Sequence, residues 1–145
     1  MTSGQTERRS FEAVNVGDRF EFSKPPVTTM QLAMYAGASG DFNRIHYDHH
    51  FSIEAGLGGV IAHGMLTMGM LAQAVTEWAG PGALVRDIRS RFLSPVRPGD
   101  VVVFKGNITE KNGSPVNGDC RLELDGYVVD RLVIRGAATV RLPAA

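Results

Sequence analysis

The chain has 145 residues, a length suited to one domain, and 43% of them are hydrophobic, enough for a real core. Fifteen Lys and Arg cancel fifteen Asp and Glu, a balance that excludes the basic face of a nucleic-acid-binding protein but not a few local cations for one phosphorylated ligand. Cys120 is the single cysteine, which excludes an internal disulfide and a Cys-based metal cluster.

Met1 to Ser10 is polar and has no apolar h-region, and no apolar run approaches the roughly 20 residues that span a bilayer. The expectation is a cytoplasmic protein without a membrane span, with residues 1–12 as a flexible N-terminus and 13–145 as a single domain. Val16-Gly17-Asp18 is a turn signal, and Phe20-Glu21-Phe22 alternates as a short strand that Pro25-Pro26 ends. Thr28 or Thr29 can cap a helix through Leu32, Met34 and Tyr35, which Gly37 to Gly40 stops. Asp48 to Ala55 reads as a short helix and Val60-Ile61-Ala62 as a short apolar piece. Met65 to Trp78 contains no Pro and one Gly, and its apolar residues fall nearly all round, the pattern of a buried helix.

The remainder is strand-like: Leu84 to Val96, Val101 to Glu110, Cys120 to Val129 and Leu132 to Leu142. Asn112-Gly113 signals a hairpin with a long loop, and Asp130-Arg131 joins the last two strands. Strands segregated from one apolar helix indicate an α+β fold with an antiparallel sheet. One sheet on one helix leaves sheet edges and part of the helix poorly covered, which favours an oligomer.

The chemistry concentrates in Ser39-Gly40-Asp41-Phe42-Asn43-Arg44-Ile45-His46, where a carboxylate and an imidazole stand five positions apart with an amide between them. Asp holds charge, His moves protons near neutral pH, and Asn orients by hydrogen bonding, so the run reads as a general acid/base pair.

Tyr35 to His46 resembles the hydratase motif of the MaoC-like acyl dehydratases and (R)-specific enoyl-CoA hydratases: an aromatic residue, small residues, then Gly-Asp-x-Asn-Pro-x-His. Ala62-His63-Gly64-Met65-Leu66-Thr67 resembles the segment that opens the family's central helix, and Pro95 with Pro98-Gly99-Asp100 resembles a strand-to-strand turn. The resemblance implies the hot-dog fold, a long central helix wrapped by an antiparallel β-sheet. It also implies reversible syn hydration of trans-2-enoyl thioesters to (R)-3-hydroxyacyl thioesters in fatty-acid or related acyl metabolism. The implied substrate is an acyl-CoA or acyl-carrier-protein thioester, with no cofactor and no metal. The implied assembly is a homodimer or a heterodimer with another hot-dog subunit.

By the same resemblance Asp41 and His46 are the catalytic pair, Asn43 orients the loop, and the backbone N–H of Gly64 serves the oxyanion. Met65, Met68 and Leu71 are candidates for the acyl pocket. The chain departs from the family pattern at Arg44, where the family has proline, and at Ala72, where some single-domain hydratases carry serine.

Three other features have plainer readings. His46, His49 and His50 have helical metal-ligand spacing, but His49 and His50 read as exposed helix residues and His63 as structural. Arg86, Arg89, Arg91 and Arg97 read as a solvated sheet face, with capture of CoA or phosphopantetheine phosphates as the functional alternative. Gly59 and Gly69 read as backbone and packing features, and Cys120 as a small buried residue. A hot-dog acyl-thioesterase is the rival within the fold, although its acidic residue lies elsewhere.

Overall fold

The computed structural model describes residues 7–145. Strand β1 spans Arg19–Ser23, helix α1 Thr29–Ser39, a single 3-10 turn Arg44–His46, helix α2 His49–Glu54 and helix α3 Gly64–Ala79. Four strands follow: β2 (Leu84–Phe92), β3 (Val103–Asn112), β4 (Asp119–Val128) and β5 (Arg131–Arg141). They form one antiparallel sheet in the order β1-β3-β4-β5-β2, so β1 and β2 are its edges.

The alternation along β3 and β4 decides which face is inside. Phe104, Ile108, Leu122 and Leu124 are buried, while Lys105 and Glu123 between them point away from the helix. Helix α3 lies on the inner face through Thr67, Met70, Leu71, Ala74, Val75, Trp78 and Ala79. Its other side remains exposed at Met65, Gly69, Thr76 and Glu77, so the expectation of an apolar helix buried all round holds for one side only. The sheet curls over a single face of α3, and the described residues supply no element for the other.

Thr28 caps α1 by accepting from the Gln31 N–H, and Asp48 caps α2 by accepting from the Phe51 N–H. Gly40 ends α1 at φ +72°, a left-handed cap that a side chain would strain. Val60-Ile61-Ala62 is not a strand, but it is tied on both sides: Ile61 N–H donates to Ile45 O and Ala62 N–H to Val96 O. Among the described residues, a Cβ at Gly69 would have no neighbour within 4 Å.

Residues 1–6 of the N-terminal stretch expected to be flexible lie outside the described residues. Beyond them, Phe11 is buried and its N–H donates to Pro143 O, while Lys111 Nζ donates to the carbonyls of Phe11 and Val14.

Candidate active site

The segment between α1 and α2 holds itself in shape by short polar bonds. Ser39 Oγ donates to Tyr35 O and accepts from the Asp41 N–H. Asp41 Oδ1 then accepts from the Asn43 N–H, and Asn43 Oδ1 from the Ile45 N–H. Each is an Asx-type turn in which a short polar side chain replaces a backbone acceptor. Arg44, at the family's proline position, donates through Nε and Nη2 to Asp48 Oδ2, at 3.1 and 2.7 Å, and its guanidinium lies 4.4 Å over the Phe51 ring. The stiffness that a proline ring would give covalently is supplied here by an ion pair reaching the α2 cap.

These bonds present Asp41 and His46 to one another. His46 is buried, Asp41 is half exposed, and His46 Nε2 stands 3.8 Å from Asp41 Oδ2. That is too far for a direct hydrogen bond but close enough for both to reach one water or hydroxyl. On the far side of the ring, His46 Nδ1 lies 2.8 Å from Ile61 O. A carbonyl only accepts, so Nδ1 carries a hydrogen and Nε2 is the ring nitrogen turned toward Asp41.

His63, at the N-cap of α3, joins this pair. Its ring stacks on that of His46, centroids 3.7 Å apart and planes 20° from parallel, and its other neighbour is Tyr35 at 4.8 Å. His63 Nε2 donates to the Asp41 carbonyl at 3.2 Å, while its buried Nδ1 has no hydrogen-bond partner among the described residues. Burial holds the His63 pKa below its ordinary value, so the ring is neutral at pH 7.

Asp41, His46 and His63 bring potential metal-ligating atoms within 4.8 Å of one another. A ligated metal must lie close to the plane of each imidazole, and two nearly parallel rings stacked at this spacing share no such point. The arrangement therefore suits proton transfer better than chelation. The other spacing considered, His46 with His49 and His50, does not converge: His49 and His50 are exposed, and His50 faces Glu54 at 3.2 Å.

The first turn of α3 borders the pair through His63. N–H groups at the start of a helix lack intrahelical acceptors, and Gly64 is the first residue of this one. A Cβ at Gly64 would lie 3.0 Å from Phe92 Cε2, so the absence of a side chain lets the end of β2 approach the helix start. Met65 is exposed and Met68 partly so, next to Gly64 on the uncovered side of α3. Leu71 is fully buried on the sheet side, its Cδ2 only 2.9 Å from where a Cβ on Gly136 would sit. Ala72 is half-buried and offers no hydroxyl.

The arginines divide. Arg89 and Arg91 stand on the outer face of β2, opposite Ala137 and Arg135, and Arg86 sits at a bulge between Val85 and Asp87. Arg86 pairs with Asp119 and Arg89 with Asp87. Arg97 instead ties down the 57–59 segment through Leu57 O and Gly59 O. A groove lined by Arg19, Lys105, Glu123, Asp125, Tyr127 and Arg135 also lies on the outer face, away from Asp41. Cys120 is fully buried, and burial raises its thiol pKa.

Comparison with known proteins agrees with this geometry. The profile of the MaoC-like domain matches residues 11–122. The chain belongs to the MaoC-like family. It is 34% identical over 134 residues to a 3-hydroxybutyryl-CoA dehydratase of Methylorubrum extorquens, covering 92% of this chain and 83% of that protein. It is 30% identical over 139 residues to an (R)-specific enoyl-CoA hydratase of Rhodospirillum rubrum, covering 92% of each. Among solved structures, an unliganded R-hydratase of Pseudomonas aeruginosa superimposes with a TM-score of 0.84 at 27% identity, over 94% of this chain and 86% of that one. The fold is thus the hot-dog expected from the sequence, with α3 as the wrapped helix. Among the described residues no helix is long and apolar enough to cross a membrane.

His63 is the site residue that sequence reasoning undervalued. It stands 17 positions after His46 in the chain, and no local spacing links the two. The available signal was its place directly before the helix-opening glycine.

Proposed function

We propose that this protein catalyses the reversible addition of water to trans-2-enoyl thioesters, giving (R)-3-hydroxyacyl thioesters. The observation that carries the reading is Nε2 of His46 facing Asp41 Oδ2 across 3.8 Å, with Nδ1 anchored on Ile61 O. In the hydration direction a water held between the two side chains attacks C3. One proton of that water leaves to the His46–Asp41 pair, and one proton from the pair reaches C2, so the elements of water are added and the pair ends unchanged. Asn43 keeps the carboxylate loop in register through its bond to the Ile45 N–H.

The negative charge that grows on the thioester oxygen needs fixed donors. The Gly64 N–H, at the positive end of the α3 dipole, meets that need without reorganising. Met65 and Met68, flexible and apolar, suit the first carbons of an acyl chain running along the uncovered side of α3. Leu71 belongs to the packing beneath them. An acyl-CoA or an acyl-carrier-protein thioester would present the same reacting atoms.

Phe42, Tyr47, Met65 and Phe92 are all about half exposed or more around the pair. So much apolar surface beside the site favours a covering subunit, either a second copy or another hot-dog chain.

The test is hydration of crotonyl-CoA by the purified protein and by Asp41→Asn and His46→Gln. Loss of a general acid or base lowers kcat by about 10²–10⁴-fold, and each variant is expected to fall in that range with its circular dichroism unchanged. Full activity in both variants would overturn the assignment. Release of free thiol from the acyl-CoA would point to a thioesterase instead.

A further inference from the structure

We propose that His63 is a positioning residue of this site: its ring braces the face of His46 while its Nε2–H holds the main chain of Asp41, so that one side chain sets the distance between the two proton-handling groups. The proposal rests on the hydratase reading above for its kinetic consequences, though the geometry stands by itself.

Two independent contacts support it. The stack on His46 leaves the imidazole no room to turn about χ2 without striking a ring 3.7 Å away. The bond from Nε2 to Asp41 O fixes the backbone from which the carboxylate hangs. Tyr35 also packs against the His63 ring, centroids 4.8 Å apart, and His63 is only 1% exposed, so its position is imposed by α1, by the 41–46 loop and by the start of α3 together.

The choice of histidine follows from the atoms that it meets. Its partner at Nε2 is a carbonyl, which requires a donor there. Its Nδ1 is buried without a partner, a place that tolerates a lone pair better than an N–H with no acceptor. Protonation of His63 would create that N–H and set a second positive charge against His46 whenever His46 carries one. The titratable groups facing His63 are Asp41 and His46 on the loop and Tyr35 on α1. A neutral His63 can brace His46 through both of its protonation states. A purely structural filler would need only the volume of the ring.

Three variants separate the two contacts. His63→Phe keeps the ring face and loses the donor, His63→Gln keeps a donor near the Nε2 position and loses the face, and His63→Ala loses both. Misplacement of catalytic groups by about 1 Å costs about 10²-fold. The expected result for His63→Ala is therefore a fall in kcat of that order with KM within about threefold, and His63→Gln and His63→Phe each recover part of it.

Long-range proton–nitrogen NMR of the substrate-free protein supplies a readout that does not depend on activity. His46 should be a single Nδ1–H tautomer in the wild type and a mixture in His63→Ala. Wild-type kcat together with an unchanged His46 tautomer in His63→Ala would overturn the proposal. Should that variant not fold, wild-type kcat and an unchanged tautomer in both His63→Gln and His63→Phe would overturn it equally. A wild-type protein that hydrates no enoyl thioester would sink the functional reading, while the NMR comparison would still decide the role of His63.

Discussion

Phe92 lies against Gly64 so closely that a Cβ on the glycine would sit 3.0 Å from Cε2 of the ring, with Cδ2 and Cζ at 3.1 and 3.2 Å. The last residue of β2 and the first residue of α3 therefore meet through a side chain on one and bare backbone on the other. The contact places an aromatic ring beside the N–H groups assigned to the thioester oxygen.

Gly64→Ala tests that contact. The new methyl group must push the Phe92 ring by a few tenths of an ångström, and the ring is 47% exposed and can give way. Alanine is also the better helix former, so thermal stability should be unchanged or slightly raised. The methyl and the displaced ring crowd the mouth of the helix, and kcat/KM for crotonyl-CoA should fall about tenfold, or about 1.4 kcal/mol of barrier. Adding Phe92→Ala should restore part of the loss. A double variant no better than Gly64→Ala would assign the loss to the methyl alone.

Stability should depend on pH through His63. Burial holds its pKa below the ordinary value of 6.5, whereas the unfolded chain keeps that value. As pH falls through 6.5 the unfolded state takes up the proton first, so it binds more protons than the folded state and stability declines. The contribution is fully present above that range and is lost progressively below it. Urea unfolding at pH 8, 7, 6 and 5 should show the decline, and His63→Gln should flatten it. An identical slope in wild type and variant would locate the effect in other groups.

The order of elements, the antiparallel sheet and the Asp41–His46 pair were legible in the sequence because each rests on a local signal. Those signals are the alternation along β3 and β4, the Thr28 and Asp48 caps, and a motif of eight contiguous residues from Ser39 to His46. Element ends shifted by one or two residues, except β2, which stops at Phe92. Beyond it Leu93 and Ser94 only share the carbonyl of Val133, and Pro95 has no N–H with which to extend the ladder.

What was not legible depends on tertiary approach. Nothing near His63 announces that Tyr35 and His46 will pack against its ring. The exposed side of α3 was hidden for a related reason. Met65 and Met68 are as apolar as Met70 and Leu71, and composition does not say which side the sheet will choose or whether another subunit covers the rest. The partner that Arg44 finds in place of a proline ring, Asp48 at the α2 cap, is likewise set by the fold and not by the motif.

The hairpin between β4 and β5 contains a correctable strain. Val129 adopts φ +54°, the one described non-glycine residue with positive φ, and its side chain is 87% exposed. A β-branched residue in this left-handed conformation is disfavoured by roughly 1–2 kcal/mol, and little packing offsets that here. Val129→Asn or Val129→Gly should raise stability by about 1 kcal/mol, a Tm shift of about 3 °C for a chain of this size. Activity should not change, because the turn is remote from His46. A lower Tm in both variants would show that Val129 makes a contact that outweighs its backbone cost.

Arg44 offers the sharpest test of how the Asp41–His46 loop is held. The residue opens the 3-10 turn, and Asn43 before it has φ −59° and ψ 123°, a conformation that a following proline accepts. Proline is favoured at the first position of such a turn, where its fixed φ is already suitable. Arg44→Pro should therefore fold normally and retain activity, replacing an exposed ion pair by covalent stiffness. Arg44→Ala removes the pair and puts nothing in its place. An exposed ion pair of this kind is weak and screened by salt, so this variant should lose a few-fold in kcat with little change in Tm. The wild-type rate should decline modestly between low and high salt, and Arg44→Pro should be less sensitive. Equal salt sensitivity in the wild type and Arg44→Pro would mean that the Arg44–Asp48 pair does not order the loop.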